Sequence, residues 1–153
     1  MLKASQIMTR DFLTVPTDMG VEELARLLLS KNASGAVVID AIGKPLGVVT
    51  ETDLIAKEKN LHLPTVVSLF GAVVYLESSE HFKKELQKMV ATKVDDIYAR
   101  DLVSIRADTS LADIASIMTE KGIHFLPVVQ EDRVTGVVSR HEVLKSLAEA
   151  GNA

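Results

Sequence analysis

The sequence predicts an α/β (α+β) protein built from two β-α-β-β-α repeats, packed sheet to sheet with pseudo-twofold symmetry. Three observations predict it. The first is an internal repeat. Residues 7–39 align without a gap on 97–129 and, after one residue drops out in a turn, Gly47-Val48-Val49-Thr50 aligns on Gly136-Val137-Val138-Ser139. The second is that helical spacing and short β-branched runs follow one another in the same order in both copies. The third is size. The chain has 153 residues, about one domain's worth at roughly 100–200 residues per domain, yet a single copy buries too little surface to be stable alone. The copies therefore share a core. Two copies do not make a solenoid, which needs about three or more units.

Each copy opens with a short extended piece, Leu13–Val15 and Val103–Ile105. A helix follows over Val21–Lys31 and Leu111–Lys121, with Val21, Leu24, Ala25, Leu28 and Leu111, Ile114, Ala115, Met118 on one face. Asp18 and Asp108 stand just upstream as capping or first-turn acids. Asn32 and Gly122 follow the last turn as stop residues. Two strands come next, Ala36–Ile39 with Leu46–Thr50 and Leu126–Val129 with Val134–Ser139, joined by the turns 40–45 and 130–133. A second helix starts at Glu51 and at Arg140. The organisation is repeat one over 1–57, a connecting segment over 58–92 and repeat two over 93–153. Val66, Val67, Leu69, Phe70 and Val73 make the connection too apolar for water. It packs on the module's own helices or forms a dimer or partner surface. Phe82–Ala91 reads as an amphipathic helix capped by Ser79.

Composition narrows the function classes. Seventeen Lys and Arg against 21 Asp and Glu give a formal charge of −4, which argues against a partner bound by phosphate neutralisation along a polyanion. Absent cysteine removes disulfides, thiolate metal sites and thiol nucleophiles. With Trp 0, Tyr 2 and Phe 4 the core is aliphatic. The N-terminus shows no signal-peptide pattern. The apolar stretch 61–76 contains His62, Pro64 and Ser68 and falls short of the roughly 20 residues a membrane span needs. A cytoplasmic protein is expected, with no membrane and no nucleic-acid partner. No phosphate loop, dinucleotide fingerprint or nucleophile elbow is present. His81 and Glu85 share a helix face, but two ligands without a third do not make a metal site. No catalytic residue, metal or cofactor is expected, and the protein is not read as an enzyme.

The residues Gly47-Val48-Val49-Thr50-Glu51-Thr52-Asp53, Asn32 to Asp40, Gly122-Ile123-His124-Phe125-Leu126-Pro127-Val128-Val129 and the opening Ile7-Met8-Thr9 resemble a tandem pair of CBS domains, a Bateman module. The resemblance covers about 4–57 and 93–149 and is similar to free-standing members. It implies a regulatory module that binds an adenosyl nucleotide (AMP, ADP, ATP or S-adenosylmethionine) in clefts between the repeats. It also implies a homodimer and a protein effector that reads the ligand state. The alternative is an interaction or scaffold module with ligand-free clefts.

Two readings of the Thr-x-x-Asp pattern stay open on the residues alone. Thr50 and Asp53 stand where a strand meets a helix, where N–H groups favour an anion and a carboxylate can accept from a ribose diol. The same spacing is nearly a capping box that needs no ligand. Ser139 and Glu142 replace them in copy two, where the longer acid makes the better capping box. Arg140 offers a planar fork to phosphate. The resemblance implies that His124 contacts phosphate, as a histidine does in the γ subunits of AMP-activated kinases, with His141 able to join it. It further implies an adenine slot of Thr14, Val15, Ala33, Ser34 and Ala36 in copy one. The copy-two equivalents are Ser104, Ile105, Ile123 and Leu126. Ala36 against Leu126 predicts slots of unequal width, and Asp53 is expected to be the stronger diol anchor.

Overall fold

The computed structural model describes residues 1–60 and 92–150, with the side chains of 57–60 excepted. The expected connecting helix, the Val66–Leu76 run, Ser79, His81 and Glu85 lie outside the described residues. Copy one runs α1 (Ala4–Ile7), β1 (Thr14–Pro16), α2 (Val21–Ser30), β2 (Gly35–Ile39), β3 (Pro45–Thr50) and α3 (Glu51–Asn60). Copy two runs α4 (Val94–Ile97), α5 (Leu111–Lys121), β4 (Phe125–Gln130), β5 (Arg133–Ser139) and α6 (Arg140–Ala150). The repeat is therefore visible as a repeated order of elements.

The central strands β2 and β4 are buried on both faces, and the period of two sorts the strands' side chains. In copy one Val15, Ala36, Val38 and Val49 face α2, packing on Leu24 and Leu28. In copy two Ile105, Leu126, Val128 and Val138 pack on Ile114 and Met118 of α5. The alternate residues Val37, Phe125 and Val137 meet between the two sheets, with Phe12, Val48 and Val134 around them. Sheet-to-sheet packing thus comes from strands whose two faces serve two cores.

Two expectations change. Val103–Ile105 does not form a strand. Copy one has a three-stranded sheet in the order β1-β2-β3, whereas copy two has only β4-β5 with a single parallel bridge from Ile105 to Val128. The reason is one residue. The Val37 N–H donates to the Leu13 carbonyl at 2.9 Å, and the aligned residue in copy two is Pro127, which has no N–H. The caps also differ. Asp18 and Asp108 are exposed and cap nothing; the N-caps are Gly20 and Ser110, and the Ser110 hydroxyl accepts the Asp113 N–H at 3.1 Å. Asp108 pairs instead with Arg106 at 3.4 Å. The stop residues stand as read, with φ 51° at Asn32 and 63° at Gly122, the left-handed region that Asn and Gly tolerate.

The short leading segment of each copy crosses to the other. Ala4, Ile7 and Met8 pack in the core of copy two, and Val94, Ile97 and Tyr98 in the core of copy one. Thr9 and Val137 exchange backbone hydrogen bonds at 2.9 Å each way. Ala99 and Val48 do the same at 2.9 and 3.3 Å. The crossings pass directly over Gly47 and Gly136. A Cβ on Gly47 would collide with the Ala99 carbonyl and lie 2.9 Å from the Tyr98 ring; one on Gly136 would lie 2.5 Å from Met8 Sδ. The glycine of each Gly-Val-Val-Thr/Ser run is therefore required by the arm that lies on it.

Candidate functional site

Among the described residues, two clefts between the copies border the crossed arms. The wider, about 690 Å³, takes Thr50, Glu51, Thr52 and Asp53 from the start of α3, with Ala99, Ile123 and His124 of copy two opposite. Arg140 and His141 reach it from the start of α6. The narrower, about 370 Å³, takes Ser139, His141 and Glu142 from copy two, with Thr9, Asp11, Phe12, Lys31, Asn32 and Ala33 of copy one. Both volumes fall in the range of about 300–1,000 Å³ that holds small ligands. Each cleft therefore joins the helix start of one copy to the arm and α–β loop of the other.

Both helix starts are capped. The Thr50 N–H donates to Asp53 Oδ2 at 2.8 Å, and the Thr50 hydroxyl donates to the same oxygen at 3.2 Å. Ser139 donates through its N–H and hydroxyl to Glu142 Oε1, at 2.7 Å each. The next amides are also engaged. Glu51 N–H donates to the Ser34 carbonyl at 2.9 Å, and Arg140 N–H to the His124 carbonyl at 3.2 Å. The first two amides of each turn are therefore unavailable to an anion. Anion binding here falls to side chains. Arg140, His124 and His141 are exposed and make no side-chain hydrogen bond or ion pair among the described residues. Each carboxylate uses one oxygen for its cap, and Asp53 Oδ1 and Glu142 Oε2 have no partner among the described residues. One side chain can serve as cap and as diol acceptor together.

Most of the residues read from sequence line the clefts. Ser34, Thr50, Asp53, Ile123, His124, Ser139, Arg140 and His141 line the wider one. Ala33, Ser34, Ser139, His141 and Glu142 line the narrower. Four do not. Val15, Ala36 and Leu126 are 0% exposed and Ile105 is 3% exposed, all within the cores. Val15, Ala36 and Leu126 stand on the helix-facing side of their strands, so the period of two turns them away from the clefts, and Ile105 bridges Val128 within the copy-two core. The unequal widths therefore do not come from Ala36 against Leu126. Thr14 is exposed and borders a separate groove near the turn at Lys44, and Ser104 is exposed and lines neither cleft. Asp53 faces the copy-two loop carrying Ile123 and His124, whereas Ala33 of copy one faces Glu142.

Sequence reasoning missed Asp11, Phe12, Lys31 and Asn32 in one cleft and Ala99 and Phe125 in the other. A signal was present for some. Ala99 aligns on Thr9 and Phe125 on Gly35, so either member of a pair points to its partner. Nothing local in the sequence announces that the arms cross. Among the described residues, no group of three or more His, Asp or Glu side chains could hold a metal ion, and no helix is long and apolar enough to cross a membrane.

Comparison with known proteins agrees with this architecture. The family model for the CBS domain matches residues 4–68 and 94–149. An uncharacterized Methanocaldococcus jannaschii protein, MJ1404, is 29% identical over 147 residues, which is 96% of this chain and 32% of that protein. Another from the same organism, MJ1426, is 27% identical over 88% of this chain and 85% of its own length. The chain thus spans about a third of one relative and most of the other. The chloroplastic CBS domain-containing protein CBSX2 of Arabidopsis thaliana is 28% identical over 86% of this chain and 57% of its own. Among solved structures, CBSX2 in complex with AMP superposes with a TM-score of 0.73 at 23% identity, covering 99% of both chains. The CBS domain pair of protein MJ0100, in complex with 5′-methylthioadenosine and S-adenosyl-L-methionine, gives 0.72 at 18%, covering 98% of both. These likenesses establish the fold.

Proposed function

This chain belongs to the CBS-domain family, and from that membership we propose that it is a regulatory module sensing an adenosyl nucleotide held between its two repeats. The observation that carries the reading is the wider cleft. Asp53, with one oxygen free, stands on one wall, and His124, Arg140 and His141, without partners among the described residues, stand on the other. A ribose diol on Asp53 and phosphate on Arg140 and His124 use the groups left unpaired among the described residues. The AMP bound by CBSX2 and the adenosyl compounds bound by the MJ0100 pair support the ligand class.

A ligand bridging both copies favours one relative tilt, and it signals only if it binds that tilt better than the alternative. A homodimer of this chain and a protein effector would read the tilt in the cytoplasm. No reaction is assigned to the clefts. Appearance of product from ATP on prolonged incubation would overturn that.

The test is thermal. At about a hundred times its Kd a ligand adds about 2.7 kcal/mol to stability. For a domain of this size that is a Tm rise of about 5 °C or more. AMP, ADP, ATP and S-adenosylmethionine are the ligands to add, and mass spectrometry of molecules released on denaturation identifies the native one. A second reading has its own observation: Asp53 and Glu142 are already satisfied as caps. An interaction module with ligand-free clefts is then left if no adenosyl compound shifts Tm at millimolar concentration.

A further inference from the structure

The two clefts have a wall in common. Ser34, Phe125, Ser139 and His141 line both. Along the start of α6 the residues divide: Arg140 borders only the wider cleft, Glu142 only the narrower, and His141 between them borders both. The corresponding start of α3 behaves differently, because Thr50, Glu51, Thr52 and Asp53 all border the wider cleft alone. The partition is therefore built mainly by copy two, with Ser34 from copy one, and among the copy-two residues on it His141 is the polar side chain without a partner among the described residues.

We propose that His141 couples the two clefts, so that a phosphate held in the wider cleft weakens phosphate binding in the narrower one. The inference rests on the adenosyl-nucleotide reading and adds its regulation. An imidazole turned to donate to a phosphate on one side of the partition is withdrawn from the other side. The wider cleft wins the ring, because Arg140 and His124 already draw phosphate there. The narrower cleft is left with Lys31 as its cation and with Asp11 and Glu142 as acids. Coupling is reciprocal by thermodynamic necessity, and couplings of this kind run to roughly five-fold or more. The output is a graded sensor. The first site responds at low ligand, and the second only once concentration has risen well past the first.

Calorimetric titration of the full chain with AMP tests this in the wild type, in Asp53→Asn, in His141→Gln and in the double variant. With the wider cleft weakened by Asp53→Asn, the narrower cleft should bind AMP at least about five-fold tighter than it does as the second site of the wild type. The double variant should lose that gain. Adenosine, which carries no phosphate, should show no coupling. Equal narrow-cleft affinity with the wider cleft intact or weakened overturns the proposal. So does a gain that survives His141→Gln, a single AMP site in the wild type, or binding by S-adenosylmethionine alone. In each of these cases the adenosyl reading stands. Absence of binding by AMP, ATP and S-adenosylmethionine alike overturns the adenosyl reading itself.

Discussion

The two copies share one plan, and their differences are local enough to be traced to single residues. Copy one carries Val37 and builds a third strand; copy two carries Pro127 at the aligned position and keeps only a bridge. Copy one has Ser34 in the loop after its first helix; copy two has His124 there. Copy one starts its last helix Thr-Glu-Thr-Asp, copy two Ser-Arg-His-Glu. The sheet difference weakens an edge. The loop and helix differences place the basic side chains of copy two over the wider cleft. A duplicated fold can thus keep its backbone symmetry while its two clefts become chemically distinct.

The sharpest way to break the symmetry is at the glycines. Gly47 is covered by a backbone carbonyl and by a Tyr98 ring that Arg100 holds, its guanidinium 4.6 Å from the ring centroid and its Nη1 donating to the phenol at 3.1 Å. Gly136 is covered chiefly by the flexible Met8 side chain. Gly47→Ala is therefore expected to cost about 3 kcal/mol, the upper end for overpacking, and Gly136→Ala about 1 kcal/mol. Urea denaturation measures both, and equal costs would show that the arms yield equally.

Ligand binding comes next. Asp53→Ala is expected to lower AMP affinity roughly ten- to a hundred-fold, as loss of a charged acceptor does. Glu142→Ala is expected to lower it less, since the longer acid has more rotamer freedom to lose on binding. Isothermal titration distinguishes them, and equal losses would remove the claim of unequal anchors.

Pro127→Val tests the sheet. It restores the missing donor, and residues 103–105 should then pair as β1 does, adding about 1 kcal/mol. Hydrogen exchange should show a newly protected amide at position 127. Smallest of all is the cap contrast. Ser110→Ala should cost about 1 kcal/mol, and Gly20→Ser should add only a few tenths. Thermal unfolding of the two variants checks this.

Much of the fold was legible because the repeat supplied each reading twice. The helices, their stops at Asn32 and Gly122 and the hairpins all follow from local pattern. What escaped was parity and crossing. Ala36 and Leu126 lie in strands buried on both faces, where an unbroken apolar run carries no alternation to say which side a residue faces, while Val15 and Ile105 are each buried between exposed neighbours. The arm exchange escaped because it is a long-range pairing. Ala4 contacts residues a hundred positions later, and no local preference encodes that. The Thr50–Asp53 pair was legible as a motif, and its two readings meet in a single carboxylate.

The arm exchange has a consequence for how the chain is made. Leu2 to Thr9 leave the ribosome about a hundred residues before the surfaces that receive them, the Ala107–Leu111 backbone and Val137. Copy one can gather its own strands early, but it waits for Val94 and Ile97 to close its core. Domains usually complete themselves from the N-terminus as they emerge. Here the leading arm finds its place only after copy two has emerged. A nascent chain stalled after copy one would hold an open core and an unpaired arm.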